Sequence, residues 1–153
     1  MNSYETVLGV CKRHADRLRW AMNSLRPKFP LSIDGMRTLS DTELAILDQF
    51  STRFAKLQDA MGANLFSAVL ELAKEPGELV AFLDKLNRLE KIGAIPSADH
   101  WLLLREIRNQ FSHDYPDDPA IQSAMLNKAY SLANDLLDVL ERIELFAQKY
   151  TRT

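Results

Sequence analysis

Tyr4, Leu8, Cys11, Ala15, Leu18, Met22 and Leu25 follow one another at alternating spacings of four and three residues. That period gathers them on one face of a helix and scatters them over both faces of a strand. The pattern returns towards the other end of the chain, where Ile121, Met125, Ala129, Leu132, Leu136, Val139 or Leu140, Ile143, Ala147 and Tyr150 form a second long seam. Such stripes are stable only when buried against other helices. Composition points the same way. Leucine and alanine number 24 and 16 against 12 valines and isoleucines together, a balance that favours helix over strand. Five glycines and six prolines in 153 residues are too few to punctuate an all-β sandwich or barrel.

Local signals divide the chain into four or five helices. The first is expected over Ser3 to Leu25 and is ended by Pro27 and Pro30. Ser40-Asp41-Thr42-Glu43 reads as a capping box opening a long helix to about Lys74, with Leu47, Phe50, Phe54, Leu57, Met61, Ala68 and Leu72 inward. Glu75-Pro76-Gly77 stops it, and Gly62 within it marks an expected close approach of helices. A third helix is expected from about Glu78 to Ile92, burying Leu79, Phe82, Leu83, Leu86 and Leu89, with Gly93 in the left-handed position beyond its end. Ser97 caps a fourth through about His113, with Leu104, Ile107 and Phe111 inward. Asp118 and Pro119 start the last. Arg26 to Leu39 is expected to be a mobile loop. The expected fold is all-α, a four- to five-helix up-and-down bundle forming one domain over residues 1–153.

Several function classes fall away. A single cysteine, Cys11, makes neither an internal disulfide nor a cysteine-rich zinc site, which suits a cytoplasmic protein. The first residues lack a basic stretch followed by an apolar run, so no signal peptide is expected, and no stretch is apolar enough for a membrane span. A net charge of −2 excludes a globally basic nucleic-acid coat, although Lys12, Arg13, Arg17, Arg19, Arg26 and Lys28 gather as a local basic cluster. Glycine-rich phosphate loops, His-Glu-x-x-His, Gly-x-Ser-x-Gly and Cys-x-x-Cys are all missing, and no metal or cofactor is expected. His14 and His100 are expected to be solvated surface residues.

His113 has more informative neighbours. Arg108-Asn109-x-x-x-His113-x-Tyr115 combines an arginine, an amide, a histidine and a tyrosine within eight residues, far rarer by chance than Arg-x4-His alone. Histidine titrates near neutrality and can move a proton at a ribose 2′-hydroxyl or a leaving oxygen. Arginine offers a fork that stays charged and can hold the extra negative charge of a phosphorane. Asn109 stands one helical turn before His113, suited to orient its ring or a phosphate. Arg108 lies five residues before it, about 140° around an ideal helix. One chain thus presents the pair awkwardly, which favours a site completed across a twofold axis. Arg53, Lys56 and Arg105 are further candidate contacts to RNA or a partner; Arg53, Lys56 and Asp59 also suit a solvated face of local ion pairs. The motif cluster has a purely structural reading too, as a helix end pairing with Asp114, Asp117 or Asp118.

Arg108-Asn109-x-x-x-His113-x-Tyr115, late in a helical bundle and followed by one last long helix, resembles the HEPN superfamily. Within it the chain is most similar to the HepT toxins encoded beside a minimal nucleotidyltransferase (MNT) antitoxin, whose motif is Arg-x4-His-x-Tyr. The resemblance implies a HEPN-like bundle and a metal-independent endoribonuclease that works as a homodimer. Arg108 and His113 would be catalytic, Asn109 supporting, and Tyr115 the residue adenylylated by the antitoxin. RNA, with transfer RNA as one candidate, would be the substrate. The alternative is a non-catalytic helical subunit that binds substrate for a nucleotidyltransferase.

Overall fold

A computed structural model describes residues 3–77, 81–112 and 117–151. Among the described residues the fold is an all-helical bundle without strands. Helix α1 spans Ser3–Leu25, α2 Ile33–Arg37, α3 Asp41–Ala60, α4 Phe66–Leu72, α5 Phe82–Lys91, α6 Ala98–Gln110 and α7 Pro119–Thr151. The long second helix expected from sequence is therefore interrupted: Met61–Leu65 forms a π turn between α3 and α4. The extra residue in that turn shifts the buried face, so Met61, Leu65 and Phe66 are all fully buried.

The caps fall where their chemistry requires. Ser40 Oγ accepts from Glu43 N at 3.1 Å, and Glu43 Oε1 accepts from Ser40 N at 2.9 Å. Ser97 Oγ accepts from His100 N, Asp118 Oδ1 accepts from Ala120 N, and Gly93 takes φ +86. Helix α1 runs antiparallel to α7, and α3 to α6. On α1, Lys12 meets Glu144 of α7 at 2.9 Å while Met22 O accepts from Tyr130 Oη. Asp59 of α3 meets Arg108 of α6, while Gly62, in the π turn that follows α3, lies beside Trp101 of α6.

Arg26 to Leu39, expected to be mobile, is instead a strap packed on α7. Leu31 donates its N–H to Asn127 Oδ1 at 2.7 Å and accepts from Asn127 Nδ2 at 2.9 Å. Phe29 stacks on Tyr130 at 4.0 Å, and Ser32 caps α2 through Gly35 N. The amide of Asn127 and the ring of Tyr130 give this segment long-range partners that local sequence does not announce.

Three seam positions turn outwards. Leu83, Ile121 and Tyr150 are exposed, each near a helix end where few neighbours remain to cover it. Val139 and Leu140 are both buried. A Cβ at Gly62 would meet Trp101 Cζ2 at 3.4 Å and Phe82 at 3.7 Å, so the expected close approach is an ordinary van der Waals contact. Part of the expected third helix, residues 78–80 with Leu79, lies outside the described residues. No helix of the described residues is long and apolar enough to cross a membrane.

Candidate active site

The end of α6 is held on α3 by aromatic packing. Phe111 sits edge-on to Phe54 at 5.5 Å and to Phe50 at 6.4 Å. Phe50 and Phe54 are fully buried, so they form a rigid base under the last turn of α6. One turn before Phe111, Arg108 reaches across to α3. Its Nε donates to Asp59 Oδ1 and its Nη2 to Asp59 Oδ2, both at 2.7 Å. This is the two-point geometry that fixes a guanidinium plane. The hydrogen bonds that Arg108 donates to Asp59 also hold its pKa above the ordinary value, against the opposing effect of burial and with the charge of Asp59 adding to the rise.

The Arg108 side chain is only 28% exposed, but Asp59 is 49% exposed. An ion pair this wet contributes roughly 0–1 kcal/mol to stability. Its larger effect is orientation. Two of the five N–H donors of the guanidinium are taken by Asp59 and three remain. Arg108 lines a cleft of about 350 Å³ together with Ser51, Thr52, Lys56, Asp59 and Ser112. The cleft thus gathers two cations, one carboxylate and three hydroxyls, a set suited to a phosphodiester.

The expected site residues divide among several places. Arg108 and Lys56 share this cleft. Arg105, one turn before Arg108, lines the adjoining cleft with its guanidinium 5.1 Å over the ring of Phe82. Asn109 is exposed, and its carbonyl accepts from Ser112 N and Oγ, closing the last turn of α6. Arg53 turns towards α1, where its Nη1 lies 2.9 Å from His14 Nδ1. His113 and Tyr115 lie outside the described residues, as does Asp114. The carboxylate partner of Arg108 is Asp59, 49 residues away, rather than Asp117 or Asp118.

Comparison with family models, curated proteins and solved structures finds no match. Among the described residues, no three or more of His, Cys, Asp and Glu come together as a set able to hold a metal ion. Cys11 is fully buried, and burial pushes its thiol up to about 12, so it is an inert packing group.

Three of the six cations in the basic cluster near the first helix, Lys12, Arg19 and Lys28, are held in ion pairs. Lys12 meets Glu144 at 2.9 Å, Arg19 meets Asp16 at 3.4 Å and Glu141 at 3.3 Å, and Lys28 meets Glu43 at 3.3 Å. His100, expected to be solvated, is half-buried with its Nε2 3.3 Å from Asp135 Oδ2.

His14 is half-buried too, and its neighbours set its titration. Burial, then the charges of Arg53, Lys56 and Arg13, hold its pKa below the ordinary histidine value. A neutral Nδ1 accepts from the Arg53 guanidinium, and protonation removes that acceptor. The unfolded imidazole titrates near pH 6.5. Below that value the unfolded chain takes up the proton more readily than the folded one, so stability rises with pH there. The contribution of His14 is complete above pH 6.5 and is lost as pH falls through the lower folded value. Urea unfolding of wild type and His14→Asn across pH 5.0–8.0 checks this. The wild type is expected to lose more of its midpoint on acidification; parallel profiles would contradict it.

Proposed function

We propose that this protein is a metal-independent endoribonuclease, the toxin of a toxin–antitoxin pair, with Arg108 and His113 as its catalytic residues. The observation that carries this reading is Arg108 itself. Its guanidinium is fixed by Asp59 in a cleft that also holds Lys56 and three hydroxyls, at the end of the helix that leads into His113. A fixed fork of N–H donors stabilises charge that develops on a phosphorane without having to reorganise. His113 moves the proton, Asn109 supports it, and Lys56 and Arg105 contact the RNA backbone, with transfer RNA among the candidate substrates. The protein acts as a cytoplasmic homodimer in which two motif copies face one cleft. A minimal nucleotidyltransferase antitoxin silences it by placing AMP on Tyr115, which cancels the charge of Arg108 with an added phosphate.

One observation favours the second reading, a non-catalytic helical subunit of a nucleotidyltransferase. The fork of Arg108 is already engaged by a carboxylate, as it would be in a purely structural pair. A single experiment separates the two. The purified protein is incubated with total RNA in EDTA, before and after treatment with a minimal nucleotidyltransferase and ATP, and its intact mass is measured. Cleavage in EDTA, followed by a gain of one or more AMP units on Tyr115 and loss of cleavage, is the expected result. Intact RNA with no change in mass would leave the binding-subunit reading in its place.

A further inference from the structure

Arg53 is a half-buried cation without a counter-charge. Its Nη1 lies 2.9 Å from His14 Nδ1, and its Nε is buried with no partner. Arg108 is met by the carboxylate of Asp59, whereas among the described residues no Asp or Glu forms an ion pair with Arg53. Burying a charge is costly unless an opposite charge or a full set of hydrogen bonds compensates it. Of the five guanidinium N–H donors, one meets His14 and Nε is unpaired, which leaves three on the η nitrogens.

The surroundings add cations rather than acids. Arg13, next to His14, and Arg17, one turn further along α1, are exposed and also lack an ion-pair partner among the described residues. Lys56 serves both flanks of α3: it lines the Arg108 cleft, and its charge reaches His14. On the α7 side of α1 the acids are already engaged, Glu144 by Lys12 and Glu141 by Arg19. The charges that face His14 are thus Arg13 from its own helix and Arg53 and Lys56 from α3, all positive. A bound anion reverses that balance. With a negative oxygen between them, His14 takes up a proton, and imidazolium and guanidinium both donate to the anion. The Arg53 and Arg108 flanks of α3 lie about 10 Å apart, one helix diameter, with Lys56 between them. A single strand covers that span within a few nucleotides.

We propose that Arg53, His14 and Lys56 form a second phosphate site, which holds the backbone of the RNA strand a few nucleotides from the bond cleaved at Arg108. The assignment of the strand as RNA rests on the ribonuclease reading above; the anion site rests on the uncompensated Arg53 and its cationic neighbours. The strand leaves the Arg108 cleft over Lys56 and passes onto α1, where Arg13 and Arg17 continue the positive path. Because His14 gains a proton as the phosphate binds, the hold tightens as pH falls.

Two measurements test this. In the first, NMR follows the imidazole signals of the wild type from pH 4.5 to 8.5, in chloride and in sulfate of equal ionic strength. His14→Asn assigns the His14 signal. Sulfate, a dianion throughout this range, is expected to raise the His14 midpoint, and an unmoved midpoint would overturn the anion site. In the second, fluorescence anisotropy reads binding of a 2′-O-methyl RNA octamer, which lacks the attacking hydroxyl, as salt is raised. Arg53→Gln is expected to weaken binding about tenfold, the size of one charge-assisted hydrogen bond. Its salt dependence is expected to be shallower by about 0.7 in log–log slope, one single-strand phosphate. Arg13→Gln with Arg17→Gln, a double variant that touches no buried group, is expected to flatten the slope as well. Wild type is expected to bind more tightly at pH 5.5 than at pH 8.0, and His14→Asn to reduce that difference. Binding unchanged in Arg53→Gln with a lower thermal midpoint would make the Arg53–His14 pair merely structural and overturn the site. A sulfate response with octamer binding indifferent to Arg53 would overturn the RNA assignment in favour of a small free anion. The two readings fail separately. An Arg53-dependent hold on the octamer without RNA cleavage removes the nuclease and keeps the site, while cleavage with binding indifferent to Arg53 does the reverse.

Discussion

Replacing His113 by alanine is expected to lower RNA cleavage by about 10²–10⁴-fold, the usual contribution of a positioned acid or base. Cleavage of a ribose phosphodiester requires the 2′-hydroxyl to lose a proton and the leaving oxygen to gain one. Within Arg108-Asn109-x-x-x-His113-x-Tyr115, His113 is the group that ordinarily titrates near neutrality. It follows Ser112, which lines the Arg108 cleft. Single-turnover cleavage of a labelled RNA in EDTA, measured from pH 5 to 9, gives the rate and its pH dependence together. The wild-type rate is expected to change with pH near neutrality, and the alanine variant to be slow throughout with an unaltered circular dichroism melt. A variant within threefold of wild type, or a strict requirement for magnesium in the wild type, would overturn this mechanism.

The legible parts of the fold are those encoded locally. A capping box needs four consecutive residues, and Ser40 to Glu43 makes both of its hydrogen bonds. The left-handed position of Gly93, the Asp118 cap and the α1 seam are equally short-range signals. What sequence left hidden depends on contacts across the bundle. The strap from Arg26 to Leu39 reads as a loop because Asn127, its anchor, is 96 residues from Leu31. The π turn had no such signal, since Met61, Leu65 and Ala68 keep the ordinary four-and-three spacing of a regular helix.

The same distinction governs the candidate site. Arg108 was visible through its motif, but its carboxylate partner was not, since Asp59 on α3 is equally good as a solvated residue until α6 is laid against it. Arg53 and Lys56 are near-equivalents in sequence, yet the three-residue step between them turns one towards His14 and leaves the other in the cleft.

Arg108 and Asp59 are expected to act as one unit, and the size of the effect separates orientation from charge. Arg108→Lys keeps the cation but loses the planar fork, so cleavage is expected to fall by about 10²–10³-fold, as for a lost transition-state donor. Asp59→Asn keeps the shape of the side chain and removes its charge. The groove then becomes more positive, and RNA is expected to bind at least as tightly at low salt. The guanidinium, no longer fixed at two points, is expected to lose much of its advantage in the transition state, so kcat falls while KM does not rise. A merely structural pair would show the reverse, lower stability with unchanged kcat. Stability is expected to change by no more than about 1 kcal/mol in either variant, because the pair is partly exposed. In the double variant the losses are expected not to multiply, since there is no fork left for Asp59 to orient. Steady-state cleavage of one labelled RNA by all four proteins, with urea midpoints alongside, gives the complete cycle. Losses that multiply independently, or an Asp59→Asn variant with wild-type kcat, would show that the two-point contact to Asp59 does not prepare Arg108 for catalysis.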